Sequence, residues 1–223
     1  MTNVLIIGAS GNIAKQATTM LIEEGLTVKA LVRDAGKLSD IQHPNLSVFE
    51  KDLEDDFSTA FEQCEQVVFA AGSGGNTGAE KTLLIDLWAA RNAVEYAKQH
   101  GTIRFTMVSS VGADDPDALP SAIRPYLVAK HMADEHLKLS GLRYTILRPG
   151  TLLDEPGTGK IQTIKPESKD DVVIPREDVA TAIVKAVTST GSENRIIPLY
   201  RGTRDIADFF KPTRKRFAGS VTE

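Results

Sequence analysis

Short apolar runs alternate along this chain with longer stretches in which apolar residues recur every three or four positions. VLII (Val4 to Ile7) is the first run. Ile13, Ala14, Ala17, Met20 and Leu21 follow at helical spacing until Gly25 stops the pattern. TVKALV (27–32), LSVFE (46–50) and VVFAA (67–71) read as the second to fourth strands. A long helix is predicted over 79–99, its apolar stripe made by Leu83, Leu84, Leu87, Trp88, Ala90, Val94 and Ala97. FTMVSS (105–110) is a fifth strand, a helix follows from Tyr126 to Leu139, and RYTILRP (143–149) is a sixth strand. Residues 151–175 read as irregular, 177–188 as a helix and RIIPL (195–199) as a seventh strand.

Strand and helix alternating this often predict an α/β fold, a doubly wound parallel sheet of Rossmann type. No repeat, low-complexity segment or composition shift divides the chain. Residues 1–223 are therefore expected to form a single domain, with a small variable substrate-side part and a basic tail after about residue 150.

GASGNIA (8–14) lies between the first strand and the first helix, where a phosphate loop belongs. Gly8 permits the tight turn, Gly11 lets backbone approach a pyrophosphate, and Ala14 is small enough for close helix–strand packing. Ser10, Asn12 and Ile13 complete the loop. Helix N-terminal amides then favour the anion. Further along, YLVAK places Tyr126 and Lys130 one helical turn apart, on one face.

The spacing G-x-x-G-x-x-A, together with Y-x-x-x-K, resembles the extended and atypical short-chain dehydrogenase/reductases, nearest to their small NAD(P)-binding, NmrA-like members. The resemblance spans residue 4 to about 200. It implies a bound nicotinamide dinucleotide. Asp52 and Leu53 would flank its adenine, and Ala70, Ala71 and Gly72 would lie under it. Pro149, in the R-P-G stretch 148–150, would bring backbone near the nicotinamide, while Arg148 would be scaffold. NAD-specific folds end the second strand with an acid that holds the ribose 2′-hydroxyl. Here Arg33 stands near that position, and a guanidinium clamps a 2′-phosphate with a forked bond. NADP is expected, with Lys37 adding charge. NAD remains possible if Arg33 is only a surface residue and Asp34 takes the ribose.

A free tyrosine titrates near pH ~10 and is a poor acid–base group at neutrality. A neighbouring cation stabilises the phenolate. The resemblance implies that Lys130 does this and also bonds the nicotinamide ribose, that Tyr126 exchanges a proton with the substrate oxygen, and that a serine ending the fifth strand hydrogen-bonds the same oxygen. The S-S-V-G pattern matches Ser110 to that serine and leaves Ser109 a structural hydroxyl, because neighbouring strand residues point to opposite faces. Asp178 reads as a helix cap or dipole partner. His131 and His136 read as helix-surface residues.

The formal net charge of −4 argues against nucleic acid and acidic membranes as partners, and no run approaches the ~20 apolar residues of a membrane span. KPTRKR (211–216) is a local basic exception, read as a solvated tail. One cysteine, Cys64, and no secretory start favour a reducing cytoplasm. His131 and His136, five apart, lack metal-ligand spacing, so no metal is expected. The function expected is hydride transfer between NADPH and a small carbonyl- or quinone-like substrate by a Ser110–Tyr126–Lys130 group. The alternatives are a non-catalytic NADP(H)-binding redox sensor and, less favoured given the short C-terminal part, a sugar-nucleotide epimerase or dehydratase. Substrate identity and oligomeric state are not legible.

Overall fold

The computed structural model describes residues 3–75, 77–118 and 122–211. Its centre is a nine-stranded sheet in the order β11-β8-β10-β6-β5-β4-β1-β2-β3. The strands are β1 (Asn3–Ile7), β2 (Thr27–Val32), β3 (Leu46–Glu50), β4 (Gln66–Phe69), β5 (Arg104–Val108), β6 (Arg143–Pro149), β8 (Lys160–Gln162), β10 (Arg195–Arg201) and β11 (Arg204–Asp205). From β10 to β3 every pairing is parallel, while β8 joins β10 and β11 antiparallel. The chain order reverses between β1 and β4, the switch point at which such sheets open a crevice beyond their carboxyl ends.

Alternation along β1 builds both cores. Val4 and Ile6 face a cluster completed by α1 (Asn12–Glu23) and α5 (Arg176–Thr188), and Leu5 and Ile7 face one completed from the opposite side. That second layer holds α4 (Arg124–Leu139) and a continuous helix made of α2 (Ala79–Lys81), a π-helical stretch Thr82–Ala89 and α3 (Ala90–Gln99). The stripe expected on this long helix is only partly its buried face. Leu83, Leu84 and Trp88 are exposed, whereas Thr82, Asp86, Ala89, Ala90, Ala93, Val94 and Ala97 are buried. The inward face here carries small and polar residues, so hydrophobicity alone marks the wrong edge.

Residues 151–175, expected to be irregular, contain β7 (Thr151–Leu153) and β9 (Val173–Pro175), which pair parallel, as well as β8. Three-residue strands broken by Pro and Gly are too short to show a period of two. A short helix, α6 (Ile206–Phe209), closes the described chain. The basic stretch falls outside the described residues except for Lys211, which pairs with Asp208. Among the described residues no helix is long and apolar enough to cross a membrane.

Candidate functional site

The β1–α1 loop shapes one end of a long cleft at the switch point. Gly8 has φ +81°, and a Cβ there would lie 2.6 Å from the Cα of Ala71. Glycine is thus required both by backbone conformation and by the close approach of the β4 loop. Gly11 heads α1 with ordinary φ −70°, and Ala14 is buried against the sheet. Gly8, Ser10 and Gly11 line a cavity of about 420 Å³ with Arg33, Lys37, Asp52, Leu53, Ala70, Ala71 and Gly72. A second cavity of about 660 Å³ shares Ala70 to Ser73 and continues past Ile13 to Ser110, Tyr126, Lys130 and Pro149. The fold therefore gathers almost every expected dinucleotide residue along one groove. Asn12 is the exception: it is exposed at the start of α1 and lines neither cavity.

Around the first cavity the charges are unequal in their engagement. Asp34 accepts from the amide of Gly36 at 2.9 Å, capping the short turn after β2. Asp52 accepts from the amide of Glu54 at 3.0 Å, a local turn rather than a helix cap. Lys51 pairs with Asp55 at 3.5 Å, and Lys81 pairs with Glu54. Arg33 is exposed, lines the cavity and has no ion-pair partner among the described residues.

The second cavity holds the ionisable pair. Pro125 sits in the first turn of α4, where its missing N–H has no helical partner to lose. Tyr126 follows half-buried, and Lys130 is 3% exposed. The Lys130 ammonium lies 5.7 Å from the centre of the Tyr126 ring and donates to the Val108 carbonyl at 3.2 Å. It also lies 3.2 Å from Oδ1 of Asp86. Burial by itself would depress the lysine. Tyr126, Asp86 and Asp134 outweigh that and hold it above the ordinary lysine value.

The adjacent serines separate as alternation requires. Ser109 is buried and donates to Oδ2 of Asp134 at 2.8 Å. Ser110 is half-buried in the groove wall, its hydroxyl donating to the Val111 carbonyl at 3.1 Å. Asp134 also receives Arg148 through Nε at 3.0 Å and Nη2 at 2.9 Å. Its carboxyl is pushed up by burial, which Arg148 and Ser109 only partly offset. Arg148 is thus a scaffold residue paired to an acid, tying β6 to α4.

Two features, Asp86 and Arg176, were not read in the sequence, and two readings, of Asp178 and of the helix histidines, need correcting. Asp86 is hidden within an apolar run, and only a helical wheel drawn through Thr82, Ala89 and Ala93 turns it inward. Arg176 lines the second cavity and pairs with Asp154 at 2.7 Å. Asp178 does not cap its helix: it accepts from the amides of Thr158 and Gly159 and from the Thr158 hydroxyl, pinning the loop before β8. Both helix histidines are half-buried rather than surface residues, His131 against the Ala113 carbonyl at 2.7 Å and His136 against Glu95 at 2.8 Å.

A sequence pattern described as NAD(P)H-binding matches residues 8–190. An uncharacterized sugar epimerase of Bacillus subtilis is 36% identical over 93% of this chain and 98% of its own length. A solved structure from Bacillus halodurans, named for the NAD-dependent epimerase/dehydratases, is 39% identical with a TM-score of 0.87 over 93% of this chain and 98% of that one. The anaerobilin reductase of Escherichia coli O157:H7 is 26% identical with a TM-score of 0.75, over 90% and 97%. The match across most of the chain, the switch-point groove and the glycine loop at its end agree: the chain belongs to the NAD(P)H-binding family.

Proposed function

We propose that the protein is an NADP(H)-dependent oxidoreductase acting on a small carbonyl- or quinone-like acceptor. The observation that carries this reading is the single groove running from Gly8 past Arg33, which has no ion-pair partner among the described residues, to Tyr126, Lys130 and Ser110. The glycine loop and α1 N-terminus would hold the pyrophosphate, and Arg33 with Lys37 would hold the 2′-phosphate. NADPH, when bound, supplies the hydride. Tyr126 would give its phenol proton to the acceptor oxygen, the Lys130 ammonium would stabilise the phenolate left behind, and Ser110 would donate a hydrogen bond to the same oxygen. The acceptor side is walled by Ile123, Pro125 and Leu152, with Arg176 as its cation, which suits a compact apolar molecule.

A second reading, epimerase or dehydratase chemistry, is favoured by the names of two relatives. Calorimetric binding of NADPH, NADP, NADH and NAD to ligand-free protein separates the two. Tight binding of both phosphorylated forms is expected, with weak binding of the other two. Preference for NADH and NAD overturns the role of Arg33 and favours the second reading. A large gap between NADPH and NADP favours a redox sensor without turnover.

A further inference from the structure

Asp86 belongs to no motif that the sequence displays, yet it is 1% exposed in the wall of the acceptor-side cavity. It sits in the π-helical stretch, a local irregularity that often accompanies functional sites. One carboxylate oxygen, Oδ2, accepts from the amide of Ser73 at 3.0 Å. The other, Oδ1, is buried and lies 3.2 Å from the Lys130 ammonium but accepts no hydrogen bond of good geometry among the described residues. The contact is a close, buried ion pair. Lys130 spends one N–H on the Val108 carbonyl. Its position is thus held from two sides, by the Val108 carbonyl and by the Asp86 carboxylate. Gly72 guards the arrangement, since a Cβ there would press within 3.1 Å of Oδ1.

We propose that Asp86 is a positioning residue of the reaction centre, the counter-charge that keeps Lys130 ionised and anchored beside Tyr126. An ammonium this deeply buried sheds its proton unless an acid compensates it. The groups facing it are few. On its own helix they are Tyr126 and Asp134. From the π-helical stretch comes Asp86, from the end of β5 the neutral Ser109 and Ser110, and from β6 Arg148, which Asp134 already neutralises. Arg176 at the head of α5 shares the cavity but is paired to Asp154. Asp86 is therefore the one carboxylate in ion-pair contact with Lys130 among the described residues. The inference rests on the proposed oxidoreductase only for what the ammonium does; that Asp86 fixes its charge is independent of any reaction.

The test is a pH titration of protein carrying [13Cε]lysine, followed by NMR in the absence of cofactor and substrate. The Lys130 resonance is the one missing from Lys130→Arg. The wild-type ammonium is expected to remain charged beyond the ordinary lysine midpoint. In Asp86→Asn the midpoint should fall by roughly one pH unit or more, whereas Asp86→Glu, which keeps the charge, should restore most of the shift. Asp86→Ser, smaller and neutral, gives the same readout should the amide not be accommodated. A Lys130 midpoint unchanged by loss of the carboxylate overturns the proposal. A protein that shows the shift but oxidises no NADPH with any acceptor sinks the oxidoreductase reading and leaves Asp86 in this role.

Discussion

Replacing Lys130 with methionine removes the ammonium and leaves Asp86 buried beside an apolar side chain. The Lys130 and Asp86 side chains are 4% and 1% exposed and 3.2 Å apart. At an effective dielectric of about 20 their attraction is about 5 kcal/mol, an upper bound on what the pair contributes. Desolvation offsets much of it, but breaking one side of a buried pair typically costs about 3–5 kcal/mol, because the surviving charge is uncompensated. That is a large share of the ~5–15 kcal/mol that holds an ordinary domain folded. Urea unfolding followed by circular dichroism should show a clear fall in the midpoint for Lys130→Met with little change in slope. The double variant Lys130→Met, Asp86→Asn should recover most of the loss, giving a strongly non-additive cycle. The pH dependence has a definite sign. Lys130 is held above its ordinary value in the folded protein, so its stabilisation is complete below the unfolded midpoint near ~10.4 and fades as pH rises through the folded one. The coupling should be full at neutrality and shrink only in strong alkali. Additive single and double variants at neutral pH would refute the pair as an energetic unit.

Three other substitutions probe the proposed dinucleotide end of the groove. Arg33→Gln should weaken NADPH binding by roughly tenfold to a hundredfold, the worth of a charged hydrogen bond of about 1.5–3 kcal/mol, while leaving NADH affinity nearly unchanged in the same calorimeter. Gly8→Ala must accept both φ +81° and a Cβ 2.6 Å from the Ala71 backbone. Thermal unfolding should fall by roughly 5–20 °C, reflecting about 2–6 kcal/mol of strain and overpacking. Gly11→Ala is the milder comparison: its φ is ordinary, but its Cβ would press within 3.3 Å of the Gly8 carbonyl oxygen, so a loss smaller than that of Gly8→Ala is expected.

Much of this molecule was legible because its signals are local. The strands of the parallel core, the glycine loop and the tyrosine–lysine turn each occupy a few consecutive residues, and the sheet order brings them to one crevice. What escaped depends on contacts between distant segments. Asp86 reads as an interruption in an apolar run until α4 is packed against its helix and Lys130 faces it. Leu83, Leu84 and Trp88 read as core, yet the inward edge belongs to alanines that allow the helix to approach the sheet closely. Asp178 lies in the first turn of α5, as a dipole partner would, but its carboxylate is turned to a loop some twenty residues earlier, which no helix rule anticipates. The short strands β7, β8 and β9 exist through pairing with partners elsewhere in the chain, not through their own periodicity.

The central claim concerns Tyr126, and the most direct measurement is NADPH oxidation by wild type and Tyr126→Phe across a panel of small carbonyl and quinone acceptors, with NADPH affinity measured on both. The account predicts turnover by the wild type with at least one acceptor, a loss of roughly a hundredfold or more in the variant, as removal of a positioned proton donor entails, and NADPH affinity nearly intact. Turnover that survives the loss of the phenol hydroxyl would contradict it.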